Sequence, residues 1–378
     1  MSARTYVIYF LTCFFAMLVL VASFDRMVDP FWYYRDISIP GFNQIKTKFR
    51  RYERHVKPEI LVREQPAAVI FGSSYSEIGF DPLHLAGLAG GRGYNFALAG
   101  ASWNRVYCDV QFALQYDREL HWIVLGIHPE AMPSRDCRRD IQVMRHPDQL
   151  SFLLSSDALK ASFETVFEQR TDLPSHTAEG LYFYTRGKRG TAERFREYLP
   201  SHAPCKPGET GKKGGGAREE ALDLDGLGNI VRAVRQRGIG MKLVVYPRHA
   251  MPVELEYLCG KRKARWETLS RIASMVESEG GQNSKIEIWD FEGYQHIATE
   301  KISDAPAVYW QDPAHFNYEY GNIMLDEMFG RTEPDYGTRL TPENVPDREM
   351  AEKKAREAYI DRHPEFDTQL MSLLRPPS

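Results

Sequence analysis

The sequence predicts an α/β protein: a doubly wound, five-stranded and mostly parallel sheet in three layers, carried on one N-terminal transmembrane helix. Three observations predict it. Five short apolar runs rich in β-branched residues recur between positions 67 and 291, helical patterns separate them, and one uncharged apolar stretch opens the chain. Near-continuous apolar runs of this length read as strands buried on both faces. Strands alternating with helices imply right-handed crossovers that place helices on both sides of the sheet. Such sheets bind ligands beyond the carboxyl ends of their strands, so the residues just after each run carry the functional interest.

The opening stretch, residues 5–24, has no charge and is dense in Phe, Leu, Val and Ile. Twenty residues suffice to cross about 30 Å of hydrocarbon as a helix. The run exceeds a signal-peptide core of roughly 7–15 residues, although Val21-Ala22-Ser23 could serve as a weak cleavage site. An uncleaved anchor is expected, with residues 1–4 as a cytoplasmic tail and the bulk of the chain outside the inner membrane, in the periplasm. Phe31-Trp32-Tyr33-Tyr34 would suit either the headgroup level or a core cluster. Residues 25–66 read as a tether, because little apolar periodicity shows there.

The expected strands follow at 67–71 (AAVIF), 94–98 (YNFAL), 122–127 (WIVLGI), 241–246 (MKLVVY) and 286–291 (IEIWDF), with helical patterns at 106–116 and 264–277 among those between them. The domain is expected to span 67–330. Residues from about 135 to 220 break its rhythm with an amphipathic pattern at 149–167 and a Gly-, Lys- and Pro-rich segment at 202–217, read as an inserted cap with a mobile loop. Residues 331–378 are polar and read as a peripheral tail with a helix near 350–359.

Composition narrows the function classes. The 378 residues are 43% hydrophobic and 26% charged, a globular profile. Forty-eight basic residues against fifty-one acidic leave a net charge of -3, with no basic excess to neutralise phosphates, so no nucleic-acid partner is expected. The five cysteines contain no Cys-x-x-Cys pair, and no His/Asp cluster outside the candidate triad has ligand spacing; neither a metal nor another cofactor is expected. Cys13 lies in the span. Cys108, Cys137, Cys205 and Cys259 form an even set that could pair in an oxidising compartment or remain thiols.

Three motifs carry chemistry. The first apolar run enters Gly72-Ser73-Ser74-Tyr75-Ser76. A serine at a strand-to-helix turn presents its hydroxyl at the sheet's carboxyl edge and its amide at a positive helix entrance, which suits a nucleophile with an oxyanion pocket; the same residue type also caps helices. The second run leads through Asn95-Phe96-Ala97-Leu98-Ala99 to Gly100, whose amide could approach a reacting oxygen while Asn95 anchors the turn. Near the end stands Asp312-Pro313-Ala314-His315. That spacing lets a carboxylate hold one imidazole nitrogen and leave the other free to take a proton, although Asp-Pro also starts helices.

Serine after the first strand, Asn-x4-Gly after the second and Asp-x-x-His after the last resemble the SGNH/GDSL hydrolase superfamily. The resemblance covers roughly 66–330 and implies a flavodoxin-like three-layer fold. It implies Ser74 as nucleophile, Asp312 and His315 as the rest of the triad, and the amides of Ser74 and Gly100 as oxyanion donors. Two departures stand out: Ser73 replaces the usual Asp, and Gly126-Ile127-His128 lacks the third-block Asn, leaving His128 as a substitute donor. Gly72-Ser73-Ser74-Tyr75-Ser76-Glu77-Ile78-Gly79-Phe80-Asp81-Pro82 and Trp289-Asp290-Phe291-Glu292-Gly293-Tyr294 further resemble a membrane-anchored bacterial branch. Its members work beside membrane-bound O-acyltransferases, as in alginate O-acetylation and teichoic-acid D-alanylation. The resemblance implies a membrane-anchored extracytoplasmic serine esterase or O-acyltransferase acting on acyl, especially acetyl, esters of cell-surface or exported polysaccharide, possessing or lacking a membrane-bound O-acyltransferase partner. A non-catalytic assembly subunit and a general anchored lipase or esterase are the alternatives. Asn95, Trp103, Asn104, Arg248 and His249 are expected to line the substrate site, from their places after the second and fourth strands.

Overall fold

A computed structural model of the chain describes residues 2–145, 152–170, 175–183, 190–203, 222–281 and 285–374. The chain divides into two units, residues 1–64 with 138–185, and residues 65–137 with 186–378. Its strands, in chain order, are β1 (Ala68–Phe71), β2 (Gly93–Asn95), β3 (Trp122–Ile127), β4 (Ser175–His176), β5 (Tyr182–Phe183), β6 (Gly240–Val245), β7 (Ile286–Asp290) and β8 (Thr338–Leu340).

The first unit begins with a helix over Ala3–Val28, and no residue of its apolar stretch is buried. Ser2 caps it, its hydroxyl accepting from the Thr5 amide at 3.2 Å. At its far end the Asp29 carboxylate accepts the amides of Tyr33, Tyr34 and Arg35 at 2.7–3.0 Å and turns the chain back. Phe31, Trp32 and Tyr33 are buried, so this aromatic run is a core cluster. The segment read as a tether contains a 16-residue helix, Phe49–Glu64. Phe49, Glu53, Val56 and Ile60 recur at helical spacing on its buried side, and a charged residue in that stripe masks the periodicity in the sequence. Helix Ser156–Phe167 and the antiparallel pair β4–β5 belong to the same unit.

The second unit holds a mixed six-stranded sheet in the order β2-β1-β3-β6-β7-β8. The first five strands run parallel and β8 pairs antiparallel with β7. The expected count of five is therefore one short. β8, Thr-Arg-Leu, carries too few apolar residues to read as a strand, and an edge strand needs fewer. Both alternating sets of side chains are buried: Ala68, Ile70, Val124 and Val244 on one face, Val69, Ile123, Leu125 and Leu243 on the other. Helices Ser74–Gly79, Pro82–Ala89 and Tyr318–Met328 pack together and against β1 and β2, while Trp103–Tyr116, Asp225–Gln236 and Arg262–Gly280 pack together and against β1, β6 and β7.

The tail is not peripheral. Helix Val345–Arg362 is tied down by Arg262 on Glu352 at 2.8 Å, Arg348 on Asp290 at 3.1 Å and Arg356 on Glu254 at 2.7 Å, and Phe366, Leu370 and Leu373 are buried beside Phe195 and Leu255. Cys108 and Cys137 form a disulfide with Cα atoms 5.3 Å apart. Cys259 is disulfide-bonded as well, and Cys13 is free and exposed. Cys205, residues 204–217 of the Gly-rich segment and residues 149–151 of the amphipathic pattern lie outside the described residues.

Candidate active site

β1 ends at Phe71 and the chain turns at Gly72, which has φ +145°. A Cβ there would lie 2.1 Å from the Tyr246 hydroxyl and 2.4 Å from Ser76 Oγ, so the turn requires glycine. Ser73 is the N-cap of helix Ser74–Gly79, and Ser74 is its first residue. The Ser74 hydroxyl therefore does not cap the helix: it meets His315 Nε2 at 2.9 Å. Past β2 the chain keeps its register with β1, with Phe96 N donating to Ile70 O and Leu98 N to Gly72 O. Gly100 lies two residues beyond Leu98, as Ser74 lies two beyond Gly72. Among the described residues nothing accepts from the amides of Ser74 and Gly100.

No helix starts at Pro313. The chain from Trp310 to Phe316 closes on itself as a narrow antiparallel bridge, with Gln311 N donating to His315 O at 2.8 Å. Inside that turn Asp312 Oδ1 accepts the amides of Ala314 and His315, both at 2.9 Å, and Oδ2 meets His315 Nδ1 at 2.8 Å. An ionised carboxylate only accepts, so Nδ1 carries the proton and Nε2 is left to accept from the serine. Burial pushes the Asp312 carboxyl up, but its bonds from the His315 ring and the two amides outweigh burial and hold it below the ordinary carboxylate value. The structure thus brings together a hydroxyl, an imidazole and a carboxylate from the two ends of the domain.

Sequence reasoning missed what surrounds them. Tyr75 stacks on the His315 ring at 4.4 Å and on Tyr246 at 4.8 Å, and its hydroxyl lies 3.4 Å from that of Tyr198. Tyr246 lies under the nucleophile turn: its oxygen accepts the Ser73 amide at 3.0 Å and meets Ser76 Oγ at 2.8 Å. Its ring occupies space left by two glycines, since a Cβ on Gly126 would lie 2.2 Å from Tyr246 Cε1. A tyrosine ending one strand and glycines ending two others were the available signal.

The residues expected to line the site divide. Trp103 and His128 line a cavity of about 50 Å³ beside the turn, with Ser73, Glu130, Met132 and Tyr246 also in its wall. Burial, then the neighbouring Arg248 charge, pushes His128 down to about 4, so it is neutral near pH 7. Asn104 is exposed on the first turn of its helix. Asn95 is fully buried. Its amide donates to Ser76 O at 2.9 Å and Phe80 O at 3.0 Å, so it anchors the helix after the nucleophile turn instead of meeting a substrate. Arg248 spends its guanidinium on Glu256 and Glu292, in four bonds of 2.7–3.0 Å. His249 is buried as a helix cap: Nδ1 accepts from Met251 N at 3.2 Å and Nε2 donates to Glu300 O at 2.9 Å. Its own amide donates to Pro313 O at 3.0 Å, so it braces the turn that carries Asp312 and His315.

No protein-family model matches this chain, and no curated protein matches it.

Proposed function

We propose that this protein is a membrane-anchored, extracytoplasmic serine esterase or O-acyltransferase of SGNH type, with a doubly wound core, acting on acyl esters of cell-surface or exported polysaccharide. The observation that carries the reading is the continuous chain of two hydrogen bonds from Ser74 Oγ through His315 to Asp312. Ser74 Oγ attacks the ester carbonyl carbon while His315 Nε2 takes the hydroxyl proton. The carbonyl oxygen becomes an oxyanion within reach of the amides of Ser74 and Gly100. The C–O bond to the alcohol then breaks, His315 returns its proton to the leaving oxygen, and an acyl-serine remains. Water or a sugar hydroxyl, deprotonated by the same imidazole, resolves it and restores Ser74. Asp312, ionised throughout, favours the imidazolium and fixes the ring.

The Cys108–Cys137 bridge favours an oxidising compartment, and with the N-terminal helix supports placement outside the inner membrane. The non-catalytic alternative, a subunit that docks a membrane-bound O-acyltransferase, takes its support from His128 standing where an Asn donor is expected.

The test is hydrolysis of p-nitrophenyl esters of increasing chain length by the full chain in detergent, with and without an acetylatable polysaccharide. Turnover that falls with chain length and diverts to the sugar supports transfer. Loss of turnover in Ser74→Ala is expected, and the absence of turnover in the parent protein on every ester opposes the enzymatic reading.

A further inference from the structure

The N-terminal helix is not the only apolar surface in its unit. Phe24 closes the uncharged stretch, and its ring lies 5.0 Å from that of Phe163, on helix Ser156–Phe167. One residue later, Asp25 is buried, with Ser162 of the same helix beside it. The two helices are in contact, with Phe24 and Asp25 of the first meeting Phe163 and Ser162 of the second. Helix Ser156–Phe167 buries Ala158, Ala161, Ser162 and Thr165 on one face. The opposite face presents Ser156, Lys160, Phe163 and Phe167, and there Phe163 is 51% and Phe167 81% exposed.

Depth follows from length. Twenty residues at about 1.5 Å each span about 30 Å, the thickness of the hydrocarbon layer, which puts Phe24 at its outer boundary. Just beyond, Arg26 pairs with Asp36 and stacks on Tyr34 at 3.9 Å, a charged cluster suited to the aqueous side. Phe163 shares the level of Phe24. Large exposed rings lose hydrophobic free energy while left in water and recover it at a bilayer boundary. Lys160, on the same face and nearer the start of the helix, has a stem long enough to keep its charge among headgroups. The occupant argued for is lipid, because this face continues the surface of the membrane span.

We infer that helix Ser156–Phe167 lies in the outer interfacial layer of the bilayer, its Phe163 and Phe167 end dipping into the acyl boundary, as a second membrane contact of the first unit. The inference rests on the reading of Ala3–Val28 as a span.

The experiment uses the full chain with Cys13→Ser and its disulfides intact, carrying Leu20→Cys, Ser156→Cys or Phe167→Cys singly, labelled with a small fluorophore in phosphatidylcholine/phosphatidylglycerol vesicles. The label at 20 should be quenched by deep doxyl lipids. The label at 167 should be quenched by shallow doxyl lipids and be several-fold less accessible to iodide than the label at 156. If 20 reports lipid while 156 and 167 are equally open to iodide, the interfacial helix is refuted and the span survives; a partner protein would then be the candidate cover. If 20 itself is open to iodide, the span fails and the inference fails with it.

Discussion

The Tyr246 hydroxyl supports the nucleophile turn from beneath, and Tyr246→Phe removes that single oxygen. The substitution strands the buried Ser73 amide, which donates to it at 3.0 Å, and deprives Ser76 Oγ of a partner at 2.8 Å. An unsatisfied buried donor costs about 1–3 kcal/mol, and the serine hydroxyl can rotate to find another acceptor, so a net loss of ~2 kcal/mol is expected. The catalytic effect should be larger than stability alone implies. Ser74 follows directly on the unsupported amide, and displacement of a nucleophile by about 1 Å costs roughly 10²-fold in rate. Thermal unfolding gives the first quantity, and ester hydrolysis at saturating substrate gives the second. KM should hardly move, because the hydroxyl faces the turn and not the open site. A Tyr246→Phe protein that unfolds within ~0.5 kcal/mol of the parent and keeps turnover within about two-fold would refute the bracing role.

Asp312→Asn keeps an oxygen for the Ala314 and His315 amides but offers the imidazole an amide, favouring the wrong tautomer; turnover should fall on the order of 10⁴-fold with little change in unfolding temperature. Gly126→Ala drives a Cβ into the Tyr246 ring and should cost about 1–3 kcal/mol of stability together with activity, measured on the same protein. His249 gives a pH signature. Burial pushes it from 6.5 to about 4, so between those values the unfolded chain binds the proton more readily than the folded one. Stability from this group is complete above pH 6.5 and is lost as pH falls towards 4, up to ~3 kcal/mol at about 1.4 kcal/mol per pH unit. Denaturant unfolding of His249→Asn, which retains a capping oxygen, should lack that slope relative to the parent; parallel curves would oppose it.

How much of this is legible in the sequence depends on how local each signal is. The five parallel strands are readable because each is a run of buried apolar residues. Ser74, Asp312 and His315 are readable as a set because each stands in a short motif. The helix over Phe49–Glu64 is hidden by Glu53, which is buried where an apolar residue is expected. β8 is hidden because an edge strand needs no apolar run. Asn95, Arg248 and His249 occupy the right edge of the sheet, but a place after a strand does not say whether a side chain turns outward or back onto the backbone. Asn95 and His249 turn back onto the backbone, and Arg248 turns to the carboxylates of Glu256 and Glu292. Tyr75, Tyr198 and Tyr246 converge only in three dimensions, and no local pattern brings them together.

The most direct measurement is active-site labelling of the full chain with a fluorophosphonate probe, followed by peptide mapping, for the parent protein, Ser74→Ala and His315→Ala. Phosphonylation confined to Ser74, absent in Ser74→Ala and slowed by orders of magnitude in His315→Ala, is the expected result. Equal labelling of all three proteins, or a parent protein whose Ser74 never reacts, would contradict an activated nucleophile at the end of β1.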